Sequence, residues 1–147
     1  MTAGPVVRVR FRRVRHGAVV PRYMTEGSVG LDLTSTELVR LEPGERCLMP
    51  TGWSAEIPAG YEGQVRPRSG LALRHGVTVL NAPGTIDHDY RGEIMVLLVN
   101  LGQEGYLVEP GARIAQLVIA PVVRVAVEEA AELSQTERGS GGLGHTG

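Results

Sequence analysis

Glycine and proline interrupt this chain so often that a long helix has no room to form. Among 147 residues there are 20 glycines and 9 prolines, and the apolar residues fall in short runs between them. Such runs are rich in β-branched residues and show no sustained 3.6-residue period, so they read as strands closed by turns. Candidate strands span residues 6–14, 30–34, 46–49, 53–57, 63–66, 77–81, 93–100, 113–119 and 122–126. Many short strands with frequent turn signals imply an all-β sandwich or barrel. One helical turn is expected at residues 69–74, with Ser69 as its cap and its amides facing an anion. Residues 128–132 are acidic and alanine-rich, a turn or simple connector. Residues 134–147 are dominated by glycine and polar residues, too poor in apolar groups to build a core. The expected organisation is a single domain over residues 1–133 followed by a mobile arm, which suits the length of the chain.

Charge narrows the chemistry. The formal net charge is -1, which argues against a general nucleic-acid binder. Arginines cluster at Arg8, Arg10, Arg12, Arg13 and Arg15, but alternation accounts for most of them, with Val7, Val9 and Phe11 facing inward and Arg8, Arg10 and Arg12 facing water. All 15 basic residues are arginines. Schiff-base chemistry and a Walker-type phosphate loop, both of which need lysine, are excluded. Any phosphate must therefore be held by arginine forks, backbone amides or metal. Cys47 stands alone, so no intrachain disulfide forms, and it is expected as a small buried hydrophobe. No apolar run approaches the roughly 18 residues of a spanning helix, and no leader-like segment opens the chain, so the default is a cytoplasmic protein with no membrane partner.

The segment 84–94, Gly-Thr-Ile-Asp-His-Asp-Tyr-Arg-Gly-Glu-Ile, carries the most chemistry. Apolar runs flank it on both sides, so it reads as a hairpin whose corners lie at Gly84 and Gly92 and which holds Asp87 and Tyr90 at the rim of a core. Asp87, Asp89 and Glu93 are all candidate carboxylates. Aspartate is also a common turn residue, so by themselves all three suit a solvated turn, and His88 suits a surface histidine. In Arg68-Ser69-Gly70, a guanidinium fork, a hydroxyl and an amide unobstructed by Cβ make a phosphate-like cluster.

Taken with Gly30-Leu-Asp-Leu33, Pro67-Arg-Ser-Gly-Leu-Ala72, Arg113-Ile-Ala-Gln-Leu-Val118 and Arg138-Gly-Ser-Gly-Gly-Leu-Gly-His-Thr-Gly147, the segment 84–94 resembles the third of five motifs of the trimeric dUTPases. The order and spacing agree along nearly the whole chain. The resemblance implies a jelly-roll-like β-barrel of the dUTPase β-clip type, a homotrimer with active sites shared between subunits, and an arm that closes over a neighbour's site. It implies Mg2+-assisted hydrolysis of dUTP to dUMP and pyrophosphate, keeping uracil out of DNA and supplying dUMP for thymidylate synthesis.

The same resemblance assigns roles. Water is too weak an acid to be a good nucleophile near neutral pH until a carboxylate or a metal assists it. Asp87 would activate it and Gln116 orient it. Arg68, Ser69 and Gly70 would hold phosphate, and Arg138 would add a second arginine when the arm closes. Asn81, Gly84, Thr85 and Ile86 would line the uracil slot, with Tyr90 under the deoxyribose and Met95 nearby. Asp32 would contact the water shell of Mg2+. The fifth motif departs from the family, because Leu143 replaces the aromatic that stacks on the base and His145 a small hydroxyl residue, beside a retained Thr146. Leucine lacks a π face, so weaker base capping or partial stacking by His145 is expected. Two other readings remain open at this level. A dCTP deaminase shares the fold and an arginine-serine phosphate site, but Gly70 stands where a second serine is usual. A nucleotide sensor would keep binding and lose turnover.

Overall fold

A computed structural model of the protein describes residues 4–147; residues 1–3 of the expected domain lie outside them. The elements run β1 (Arg10–Arg13), β2 (Leu31–Thr34), β3 (Val39–Leu41), β4 (Arg46–Glu56), β5 (Tyr61–Arg66), α1 (Ser69–His75), β6 (Val77–Val79), β7 (Gly84–Ile86), β8 (Glu93–Asn100), β9 (Tyr106–Val108) and β10 (Arg113–Pro121). One four-stranded sheet has the order β1-β4-β8-β6, a second has β2-β10-β5-β7, and β3 pairs with β9. Every pairing is antiparallel. The fold is all-β, as the punctuated sequence implied, and jelly-roll-like, as the family resemblance implied.

Alternation builds the core. Along β8, Ile94, Val96 and Leu98 are fully buried between the sheets while Met95 and Leu97 lean outward. With Met49 of the neighbouring β4 they form one cluster with Leu33, Ile114 and Leu117 of the second sheet. Each such side chain contributes roughly 2 kcal/mol through burial. Asn100 is also fully buried, and its amide is satisfied: Nδ2 donates to the carbonyls of Leu41 (2.9 Å) and Glu104 (2.8 Å), and Oδ1 accepts from the Gly102 amide (2.8 Å). That side chain ties β8 to the β3–β9 ribbon.

Several boundaries differ from expectation. The strands expected at 46–49 and 53–57 are one strand, β4, interrupted by a bulge: Pro50 opposes Met95 and Ser54 opposes Glu93. Gly52 occupies the bulge at φ +82°, and a Cβ there would lie 2.4 Å from Ala18 Cβ, so both the backbone and the space demand glycine. The first strand shrinks to Arg10–Arg13, although Val7, Val9 and Phe11 are half-buried and the arginines exposed, as alternation required. The strands β3, β7 and β9 are too short to stand out in the sequence. No strand forms at 122–126; the barrel's bonding ends where the Val122 amide donates to Gly60 (2.9 Å), and Val123, Val125 and Val127 are exposed. Residues 128–132 are an exposed connector without helix or strand. Cys47 is only half-buried, packed against the edge of the core.

The expected hairpin exists in altered form. β6 and β8 pair antiparallel, with Val77 opposite Asn100. The segment between them does not close directly from one strand to the other; it crosses to the other sheet, where β7 pairs with β5, before it turns back. Gly84 and Gly92 have ordinary negative-φ backbones. Their glycines serve close approach instead: a Cβ on Gly92 would fall 2.3 Å from the Tyr90 hydroxyl, and one on Gly84 3.3 Å from Val65 Cβ.

Candidate active site

Apart from those of the fifth motif, the residues singled out by sequence fall into two groups, one on the sheet of β2 and β10 and the other where β7 of that sheet faces the start of β8. The first surrounds the ends of β2, β10 and the start of α1. Gln116 opposes Asp32 on β2 and Arg66 on β5, so cross-strand pairing places Gln116 beside Asp32 on one face. Gln116 Nε2 donates to the Pro67 carbonyl at 3.0 Å, just before Arg68. Gly30 sits under the same side chain: a Cβ there would lie 2.3 Å from Gln116 Oε1. Arg68 Nη1 donates to the carbonyl of Arg113 (3.1 Å), and Arg113 Nη1 donates to Asp32 Oδ2 (3.2 Å). Four side chains from three elements thus form one connected patch.

Arg113 reaches it through a β-bulge. Residues three apart on a regular strand face opposite ways, but the register slips between Arg113 and Ala115, which returns Arg113 to the face of Gln116. Its role was not legible in the motif Arg-Ile-Ala-Gln. The one sequence signal was the two adjacent apolar residues, Ile114 and Ala115, both buried in the structure.

Ser69 does not cap α1. It is the first helical residue, with Arg68 in the cap position (φ -97°, ψ 127°) and no side-chain cap bond. Its exposed hydroxyl makes no hydrogen bond among the described residues. Gly70 follows half-buried, and no acidic residue lies in the first turn to repel an anion.

The second group lines a cavity of about 230 Å3 formed by Thr85, Ile86, Asp87, Tyr90, Glu93, Ile94 and Met95. That space is below the roughly 300–1,000 Å3 of sites for drug-sized ligands and suits a nucleoside portion. A tight turn shapes it: the Tyr90 amide donates to the Asp87 carbonyl (3.1 Å), and the Tyr90 hydroxyl donates to the Glu93 carbonyl (2.8 Å). Asn81 and Gly84 do not line it; Asn81 is exposed, with its amide 3.2 Å from where a Gly84 Cβ would stand. Asp87 is exposed, makes no ion pair among the described residues, and also borders a groove lined by Glu62, His88 and Asp89.

Glu93 is no solvated turn residue. Both of its carboxylate oxygens accept from Arg15 Nε (2.9 and 2.8 Å), and Oε2 also accepts from the Gly52 amide (2.9 Å). The hydrogen bond from Arg15 to Glu93, with added attraction from Glu93 and Glu37, raises the guanidinium pKa above its usual value. His88 is exposed, as expected, and no group of three or more His, Cys, Asp or Glu side chains among the described residues is arranged to cage a metal.

The two groups do not meet within one chain. Ile86 opposes Gly63 on β5 and Gln116 opposes Arg66, a separation of three residues, or about 10 Å along the strand. The fifth-motif residues join neither. Arg138 Nε donates to Gly141 (2.8 Å) and the His145 amide to Gly142 (3.1 Å), while Leu143, His145 and Thr146 are exposed. A larger groove of about 470 Å3 along the free edge of β1 is lined by Arg10, Phe11, Arg12, Ser54, Ala55, Glu56 and Arg91. None of the residues assigned a role lies there.

Comparison with known proteins gives consistent results. The dUTPase family model matches residues 17–147. Deoxyuridine 5'-triphosphate nucleotidohydrolase of Rhizobium meliloti is 58% identical over 135 residues, covering 89% of this chain and 84% of that protein. The protein of the same name from Clostridium kluyveri is 56% identical, with 92% and 95% covered. Among solved structures, a Staphylococcus bacteriophage 80alpha dUTPase variant with dUpNHpp superposes with a TM-score of 0.89 at 26% identity, covering 95% of this chain and 98% of that one.

Proposed function

This chain belongs to the dUTPase family and is a dUTP-hydrolysing enzyme, and from that premise we propose how its own residues perform the reaction. Water held by Asp87 attacks the α-phosphorus of dUTP; its oxygen bonds to phosphorus, its proton passes to the carboxylate, and the bond to the bridging oxygen breaks to release pyrophosphate. Gln116 orients the water. Arg68, the free Ser69 hydroxyl and the Gly70 amide hold phosphate oxygens, and Arg138 adds a second fork from the arm of residues 134–147. Tyr90 carries the deoxyribose, while Asn81, Gly84, Thr85, Ile86 and Met95 frame the uracil, with Leu143, His145 and Thr146 closing over the substrate. Backbone groups arranged for uracil reject cytosine, because a buried polar group left unpaired costs about 1–3 kcal/mol.

The donor set suits Mg2+ held mainly by substrate phosphates. A single half-buried carboxylate, Asp32, faces this end, and Mg2+ keeps several waters and accepts one or two carboxylates. Asp32, steadied by Arg113, would hold the ion through its water shell. When bound, Mg2+ neutralises phosphate charge.

The placement of Arg138, Leu143, His145 and Thr146 apart from both groups, on an arm held by hydrogen bonds within itself, is the observation that carries this reading. The arm serves a site it does not touch in its own chain, so the site is completed between subunits of a homotrimer. An apolar row on the outer face of the first sheet supports such assembly. Leu48 opposes Leu97, the Leu80 amide donates to the Leu97 carbonyl (2.9 Å), and Leu48 and Leu80 are 54% and 46% exposed. The enzyme would act in the cytoplasm, limiting uracil in DNA and supplying dUMP. No helix among the described residues is long and apolar enough to cross a membrane.

Release of pyrophosphate from dUTP with Mg2+ tests the proposal. Binding without turnover supports a sensor instead, and ammonia released from dCTP supports a deaminase.

A further inference from the structure

We infer that Glu93, clamped by Arg15, is a positioning residue that fixes the ring of Tyr90 and so sets the preference for deoxyribose over ribose. The inference rests on the reading of Tyr90 as the ring that faces the sugar.

Tyr90 has little of its own to hold it. It lies in an exposed turn, and its ring covers Gly92 closely enough that a Cβ there would lie 2.3 Å from its hydroxyl oxygen and 2.5 Å from Cζ. Its single side-chain hydrogen bond goes to the main-chain carbonyl of Glu93 (2.8 Å). The ring is therefore only as well placed as the peptide of Glu93. Exclusion of a 2′-hydroxyl by bulk requires a ring that cannot yield by an ångström, because an added hydroxyl is otherwise rejected weakly.

The Glu93 peptide is held by strand pairing opposite Ser54 and, in addition, by its own side chain, at the place where β4 bulges. The bulge aims the Gly52 amide at Glu93 Oε2 (2.9 Å), and Arg15 grips both carboxylate oxygens (2.9 and 2.8 Å). The Glu93 side chain is 17% exposed and that of Arg15 42%. Thr51 Oγ1 donates to the Ile94 carbonyl (2.6 Å), securing the next residue. Glu37 stands 3.6 Å from Arg15 and holds the far side of the guanidinium. These contacts lead from the β1–β2 connection through the bulge to the start of β8, and end at the tyrosine. Glu93 also lines the cavity that Tyr90 walls. Nε shared between both Glu93 oxygens, with Nη1 of the same rigid plane turned to Glu37, gives directional restraint that a single ammonium does not.

The test is the ratio of kcat/KM for dUTP to that for UTP in Arg15→Met, Arg15→Lys, Glu93→Gln and Tyr90→Phe. Losing the restraint is expected to lower the ratio about tenfold in Arg15→Met and Glu93→Gln. The double variant should be no worse than either single one, since the pair acts as a unit. Tyr90→Phe, which keeps the ring and removes its bond to Glu93, should show the same loss, and Arg15→Lys a smaller one. Thermal unfolding shows that each variant is folded; Arg15 is exposed, so its replacement is the safer test should Glu93→Gln not fold. A parallel fall for both substrates with an unchanged ratio overturns the positioning role and makes the clamp purely structural. Failure of the unmodified enzyme to release pyrophosphate from dUTP refutes the functional reading itself, a result distinct from turnover with unaltered selectivity.

Discussion

Gly30→Ala perturbs the chemistry through one methyl group that touches no substrate. The Gly30 backbone has an ordinary negative φ, so alanine is tolerated there locally. The methyl would stand 2.3 Å from Gln116 Oε1, 2.8 Å from Cβ and 3.0 Å from Cδ. Relief to ordinary van der Waals contact takes a retreat of about 1 Å by the whole side chain, not only its tip. The Gln116 bond to Pro67 (3.0 Å) is lost in that movement. Overpacking of this kind costs about 1–3 kcal/mol of stability, or a fall in Tm of about 5 °C for a chain of this size. A 1 Å displacement of a group that orients the attacking water is expected to lower kcat on the order of 10²-fold. Steady-state pyrophosphate release, with calorimetric unfolding on the same samples, measures both effects. Gln116→Ala provides the reference, and Gly30→Ala combined with it should add far less than it does alone, because the contacts with Oε1 and Cδ are gone and only the 2.8 Å approach to Cβ remains. A folded Gly30→Ala enzyme with kcat within about twofold of the parent would refute the assignment of Gln116. A double variant much slower than Gln116→Ala would show that Gly30 acts by another route.

Asp87→Asn should retain dUpNHpp binding and lose at least about a hundredfold in turnover, as expected for loss of a general base; comparison of binding and single-turnover rates decides it. Deleting residues 138–147 should lower turnover severely with little change in Tm, since the arm makes only local hydrogen bonds. A collapse of thermal stability would assign it a structural role. Asn100→Ala strands the carbonyls of Leu41 and Glu104 and the amide of Gly102, costing about 3 kcal/mol and about 10 °C in Tm by calorimetry. Leu48→Glu places a charge in the exposed leucine row and should yield smaller species by sedimentation, together with loss of dUTP turnover; an active monomer would end the shared-site proposal.

The sequence by itself determined the fold class and the family, because both reside in local pattern. Strand period, turn residues and five ordered motifs are all written along the chain. It also singled out residues that the fold gathers into two groups, from Asp32 and Arg68 to Asp87 and Tyr90. What it did not carry was long-range register. The segment 84–94 looked like a compact hairpin, since its flanks do pair, but β7 is drawn into the opposite sheet by β5, a partner about twenty residues away. The β10 bulge that turns Arg113 toward Asp32, and the β4 bulge that receives Glu93, arise where strands of unequal length must stay in step. Glu93 illustrates the difference best. In sequence it is one of three carboxylates near a turn; in the fold it meets Arg15, 78 positions away, and becomes the anchor of the tyrosine. Tertiary structure also set the two halves about 10 Å apart on β5, a fact of strand register that no motif contains.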